Sequence, residues 1–166
     1  MVGFSLVSPD FKDGDYIPMA HALSADFGFG CAGQNRSPVL EWTNPPAGTK
    51  SFAVTLFDPD APTGSGFWHW VVVNIPSSAN SLDLGVGGVE KPLPGSALQT
   101  RTDFGKPGYG GPCPPEGDHA HRYYFTVHAV GVGALEVTAE TSAAVIGFQL
   151  HFNTIAKTSL MALFKR

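Results

Sequence analysis

Cysteine, charge and long apolar runs are all scarce in this chain. Only two cysteines occur, Cys31 and Cys113, far apart in the sequence. In a reducing compartment such a pair is read as free thiols, with a disulfide between them as the alternative. Charged residues make up 14% of the chain against 43% apolar ones, a balance that excludes a disordered polypeptide. Ten Lys and Arg face fourteen Asp and Glu, for a net charge of −4, and no basic run occurs. A nucleic-acid or anionic-membrane surface needs clustered cations, so both are excluded as partners, and any phosphate must be held locally, in a pocket. No apolar run reaches the ~18 residues of a membrane span. The start of the chain lacks the basic and apolar regions of a signal peptide. Together these absences lead to the expectation of a soluble, cytoplasmic protein.

Glycine and proline, by contrast, are abundant, at 20 and 14 of 166 residues. That length suits a single domain, here taken as 1–166, with a sizeable core. Frequent turn residues point to a β-rich fold with few long helices. Residues 3–7 and 39–42 read as short strands, 28–38 as a long irregular loop and 44–48 as a turn. Three stronger strand signals follow at 51–58 (SFAVTLFD), 67–75 (FWHWVVVNI) and 122–130 (RYYFTVHAV). Aromatic and β-branched residues dominate them, and their near-continuous apolarity predicts central strands buried on both faces. Residues 76–120 read mostly as loop, a length that suggests a functional surface. From Thr141, a fair N-cap, to about Phe164 the pattern is helical, with Val145, Phe148, Phe152, Ile155 and Ala156 recurring at three- and four-residue steps.

Polar groups enter these apolar strands at matching ends. Asp58 closes the first central strand, and Asp58-Pro59-Asp60-Ala61-Pro62 leads toward the second. If the two pair as an antiparallel hairpin, Asp58 comes near His69. His69 alternates with Trp68 and Trp70, so it is expected to point away from both indoles. His121 and Tyr123, two apart, share one face of the third strand. An acid, two imidazoles and a phenol suit an oxyanion: a ring N–H donates to phosphate oxygen, a carboxylate on the other nitrogen fixes the tautomer, and the phenol adds a neutral donor. The glycine-rich loop 108–115 could bring free backbone N–H groups close. Two other chemistries use the same residues. One is a hydrolase with Cys113 as nucleophile, His121 or His69 as base and Asp58 as orienter. The flanking prolines and the lack of a Gly-x-Ser-x-Gly elbow speak against it. The other is a metal site from Asp58, His69 and His121, without the spacing of a known zinc motif.

The segments Gly33-Gln34-Asn35-Arg36-Ser37-Pro38 with Trp42, Lys50–Val54 leading into Asp58-Pro59-Asp60-Ala61-Pro62, Trp68-His69-Trp70-Val71-Val72-Val73-Asn74, Tyr109–Pro115 with Gly117, and His121-Arg122-Tyr123 occur in that order. With them the chain resembles the phosphatidylethanolamine-binding protein family, specifically its bacterial Raf-kinase-inhibitor-like (YbhB/YbcL) branch. The resemblance implies a mainly β fold, a two-sheet antiparallel β-sandwich with a C-terminal helix. It implies a pocket lined by Asp58, His69, His121 and Tyr123, with Asp60, Pro62, Cys113 and Pro114 on its rim, and a cis Ala61–Pro62 bond. It further implies a non-enzymatic binding protein for a phosphate-type anion or phospholipid head group, without metal or other cofactor. A kinase or protease partner and a homodimer also follow from it. The chain departs from the family at Phe164, where relatives often carry a tyrosine at the end of the C-terminal helix. His119 is an extra histidine at the rim.

Overall fold

The computed structural model describes residues 3–89 and 91–166. Two antiparallel sheets are stacked around one core. The smaller holds β1 (Ser5–Val7), β2 (Leu40–Thr43) and β5 (Ser81–Leu82), in the order β1-β2-β5. The larger holds β3 (Ser51–Asp58), β4 (Phe67–Pro76), β6 (Leu98–Gln99), β7 (His121–Val130) and β8 (Thr154–Phe164), in the order β6-β4-β3-β7-β8. The three strongest sequence signals thus become the three adjacent central strands β4, β3 and β7. Their unbroken apolarity follows from burial on both sides: Leu6, Leu40, Trp42, Phe52, Val54, Leu56, Trp70 and Phe125 pack between the sheets. On the other face, Ala53, Val71 and Val73 pack against Ala143, Ile146 and Leu150 of α1 (Ala143–Asn153), the one α-helix among the described residues.

The C-terminal region differs from its sequence pattern. α1 is capped by Ser142, whose hydroxyl accepts the Val145 N–H at 3.3 Å, rather than by Thr141. The helix stops at Asn153, and the chain then runs as β8, paired antiparallel with β7 from Thr154 opposite Val130 to Phe164 opposite His121. A long ladder on a central strand outweighs a weak helical periodicity, and the β-branched Thr154, Ile155 and Thr158 fit a pleated surface. The periodic apolar stripe is also turned outward. Phe148 is 66% and Phe152 70% exposed, while Ala143, Ile146 and Leu150 face the sheet.

A bulge in the β3–β4 hairpin decides what reaches the site. Leu56 pairs with Trp70 but Phe57 with Trp68, which leaves His69 as the extra residue. Strict alternation would put both indoles on one side. The inserted residue resets the pleat, so Trp70 joins the inter-sheet core while Trp68 packs on the helix side. His69 therefore does not point away from both indoles; it lies on the inter-sheet side, its ring 5.3 Å from that of Tyr123. No cis peptide bond occurs among the described residues, so Ala61–Pro62 is trans, contrary to the expectation. The turn is built instead by the Asp60 N–H donating to Asp58 Oδ1 at 2.7 Å and the Thr63 N–H donating to the Ala61 carbonyl at 2.7 Å, and trans is the ordinary state of an X–Pro bond.

Candidate functional site

Asp58, two residues beyond the buried Leu56 on β3, and His121, two residues before the buried Tyr123 on β7, reach the same end of the inter-sheet space. They meet there directly: His121 Nδ1 lies 2.8 Å from Asp58 Oδ2, and both residues are almost fully buried. Spacing alone places Asp58 beside His69 and leaves His121 paired with Tyr123. In the folded chain the carboxylate is bonded to His121, while His69 enters from the adjacent strand through the bulge. All four sequence-selected residues, Asp58, His69, His121 and Tyr123, line one cavity of about 120 Å³.

The two histidines are held in opposite states. His69 Nδ1 lies 2.7 Å from the Gly110 carbonyl; a carbonyl only accepts, so this nitrogen carries the proton and Nε2 is left as the basic one. Burial lowers the His69 pKa, outweighing the pull of that carbonyl and of Asp58, and the ring stays neutral. Burial also opposes charge on His121, but the hydrogen bonds to Asp58 and Asp118 outweigh it and raise its pKa. His121 Nε2 lies 2.9 Å from Asp118 Oδ2. With a carboxylate on each nitrogen, His121 is a doubly donating imidazolium. The Tyr123 phenol is pushed up, first by burial and then by the Asp58 charge, so it stays protonated.

The walls come from loops. The loop 108–112 docks on β4, with the Gly110 N–H donating to the His69 carbonyl at 3.0 Å. Side chains are excluded there: a Cβ on Gly111 would sit 2.0 Å from the His21 carbonyl oxygen, and one on Gly110 would sit 2.2 Å from the Phe104 ring. Gly111 also donates its N–H to Asn35 Oδ1 at 2.8 Å, which ties loop 108–112 to loop 28–38. That closure brings Cys31 and Cys113 together as a disulfide with their Cα atoms 6.0 Å apart. The expected free thiols are therefore overturned, because two loops remote in sequence fold onto one another. A bonded sulfur has no thiolate to offer, so the hydrolase reading with Cys113 as nucleophile falls with them. For the metal reading, the geometry gives no support. Among the described residues no group of three or more metal-ligating side chains forms, and His121 has both nitrogens committed to carboxylates.

Of the rim residues the resemblance implied, Pro62, Cys113 and Pro114 line the cavity. Asp60 does not. Both its oxygens go to Arg122, with Nη2 donating to Oδ1 at 2.8 Å, and Nε and the Arg122 N–H donating to Oδ2 at 3.0 and 2.8 Å. The bonds from the Arg122 side chain hold the Asp60 carboxyl down at about 2. His119 is exposed, its ring 5.9 Å from that of His121. Phe164 is buried opposite His121 at the end of β8 rather than at the end of a helix. Sequence reasoning missed Phe67 and Phe104, whose rings pack 4.9 and 5.4 Å from that of His69. It also missed Asp118, an acid three residues before His121. Phe67 opens the second central strand and could have been found from the hairpin, whereas Phe104 comes from a loop without periodicity.

No helix among the described residues is long and apolar enough to cross a membrane. Residues 7–165 match the family model for phosphatidylethanolamine-binding protein. The chain is 50% identical to the UPF0098 protein YbhB of Escherichia coli K12 over 159 residues, 96% of this chain and 98% of that protein. It is 45% identical to the UPF0098 protein YbcL of the same organism, over 98% of this chain and 87% of that one. The crystal structure of E. coli YbcL superposes with a TM-score of 0.95 at 44% identity, covering 99% of both chains. A phosphatidylethanolamine-binding protein homologue from Chlamydia trachomatis superposes at 0.81 with 27% identity, over 99% of this chain and 98% of that one. With nearly its whole length matched in sequence and in fold, the chain belongs to the phosphatidylethanolamine-binding protein family.

Proposed function

We propose that the protein is a non-enzymatic ligand-binding regulator that holds phosphate or a phosphomonoester head group in the cavity lined by Asp58, His69, His121 and Tyr123. The observation that carries this reading is the pairing of a charged imidazole, His121, with a neutral one, His69, around a single small cavity. His121 supplies the cation that attracts the anion; His69 Nε2 accepts a hydrogen bond from a ligand O–H or N–H. Asp58 keeps His121 charged and oriented. The aromatic walls of Phe67 and Phe104 and the prolines 62 and 114 keep the surroundings apolar, which strengthens each polar contact inside. A cavity of about 120 Å³ suits a head group; sites for drug-sized ligands run to several hundred Å³, so acyl chains of an intact phospholipid would lie outside it.

Isothermal titration with inorganic phosphate and with phosphoethanolamine tests the reading. Binding by the wild type that is lost in His121→Ala supports it; no heat at millimolar ligand overturns it. A kinase or protease partner rests on family analogy alone, and an inhibition panel is its test. A homodimer has a specific observation in its favour, the exposed stripe Val145, Phe148, Phe152 and Ile155 on and just after α1, because contiguous exposed apolar surface marks interaction sites. For the compartment, the Cys31–Cys113 disulfide favours an oxidising one over the cytoplasm expected from the sequence. Alkylation of cell extracts without reductant tests this: unmodified cysteines support it, and two alkylated ones overturn it.

A further inference from the structure

An imidazolium has two N–H groups, and on His121 both are taken. Nδ1 donates to Asp58 at 2.8 Å and Nε2 to Asp118 at 2.9 Å. An anionic ligand that is to receive a hydrogen bond from this ring must replace one of the two carboxylates. Asp58 is fixed: its side chain is 3% exposed, and its other oxygen accepts the Asp60 N–H at 2.7 Å. Asp118 is not held in this way. Its side chain is 36% exposed and makes no other hydrogen bond among the described residues. It belongs to the turn closed by its own N–H on the Pro115 carbonyl at 3.3 Å, and Pro115 lines the cavity.

We propose that Asp118 is a specificity-determining residue of the anion site, its carboxylate holding on His121 Nε2 the place that the ligand's anionic oxygen takes by displacing it. The proposal rests on the function proposed above. Displacement exchanges one charge-assisted hydrogen bond for another and swings Asp118 into water, where a carboxylate is well solvated. The released side chain stays tethered within a Debye length of the bound anion and repels it. Asp58 and Asp118 together already outweigh the single charge of His121, while Asp60 is neutralised by Arg122. A singly charged anion replaces Asp118 charge for charge. A doubly charged one adds a negative charge that nothing offsets. Asp118 therefore weakens binding in general and discriminates against dianions in particular.

The test is titration of inorganic phosphate into the wild type, Asp118→Ala, Asp118→Asn and His121→Ala, at mildly acidic pH where His121 is charged. Removing one like charge from beside the site is expected to tighten phosphate binding about tenfold in Asp118→Ala. A smaller gain is expected in Asp118→Asn, whose amide oxygen still accepts from Nε2. A crystal of the wild type soaked in phosphate should show the Asp118 side chain turned away from His121. If the wild type binds phosphate through His121 but Asp118→Ala binds equally or more weakly, Asp118 is a support of the ring and the proposal falls, while the proposed function stands. If neither the wild type nor Asp118→Ala binds phosphate, both fall. Melting temperatures separate loss of binding from loss of fold: those of the two Asp118 variants are expected near that of the wild type, because this side chain is 36% exposed, whereas His121→Ala, which breaks a buried pair, is expected to melt lower.

Discussion

His121 and His128 lie on the same strand at an odd spacing, so their side chains leave opposite faces of the five-stranded sheet, and their chemistry diverges. His121 points between the sheets, where two carboxylates hold it charged. His128 points to the helix side, where Nε2 lies 3.1 Å from the Thr55 hydroxyl. Burial, and then the nearby Lys157 ammonium, lower its pKa to about 4. One strand thus presents a cationic imidazole on the side that carries the cavity and a neutral one on the side that carries α1. Burial acts on both; the difference lies in whether an acid is within hydrogen-bond reach.

The first way to break this comparison is to release the loops that close the inter-sheet side. Replacing Cys31 and Cys113 by serine opens a cross-link spanning 82 residues and is expected to cost about 4 kcal/mol, read as a lower denaturant midpoint. Hydrogen-exchange protection should fall most in residues 28–38 and 108–117 and least in α1; uniform loss over both faces would erase the distinction. Second, Asp58→Ala leaves His121 buried beside its remaining partner at the surface. A loss of about 3 kcal/mol is expected for breaking a buried pair, whereas the exposed Asp118→Ala should cost far less.

Third, pH acts on the two histidines with opposite sign. The folded-state pKa of His121 is raised, so its stabilisation is complete below the ordinary value of 6.5 and is lost as pH rises through the raised one. The folded-state pKa of His128 is lowered, so its contribution is complete above 6.5 and is lost as pH falls from there toward about 4. Imidazole titration by NMR should separate the two rings to either side of 6.5, and His128→Leu should flatten the acid limb of the stability profile; two coincident titrations would sink the comparison. The same sign governs binding: affinity for dimethyl phosphate, singly charged throughout, should weaken as pH rises through the His121 pKa and be flat if no histidine is involved. Smallest of all, Phe148→Ser and Phe152→Ser should change the stability of the monomer by no more than ~0.5 kcal/mol while shifting sedimentation toward monomer if this face pairs two copies.

The central strands were legible because burial on both faces writes itself as unbroken apolar sequence. The site was half legible. Asp58 and the His121–Tyr123 pair follow from alternation along β3 and β7, but alternation fails at a bulge, so the direction of His69 and the true partner of Asp58 were hidden. The disulfide and the Asp118 contact were hidden for another reason: each depends on how irregular loops meet, and loops carry no period to read. The tail misled because Phe148 and Phe152 repeat as a helix face should, yet that face is the one left uncovered, and β8 forms only because β7 offers it a ladder.

The bulge at His69 also has a practical use. By turning Trp68 and Trp70 to opposite faces, it gives each side of the large sheet its own fluorophore. Trp70, with Trp42, is sealed in the inter-sheet core, whereas Trp68 is half-buried in the groove beside α1 with His128. Emission from the sealed pair should be blue-shifted and sensitive to the packing beneath the cavity, and emission from Trp68 should follow whatever approaches the helix. In a Trp68→Phe protein the remaining signal belongs to one side alone, so occupancy of the cavity and association through the opposite face can be followed separately without an added dye.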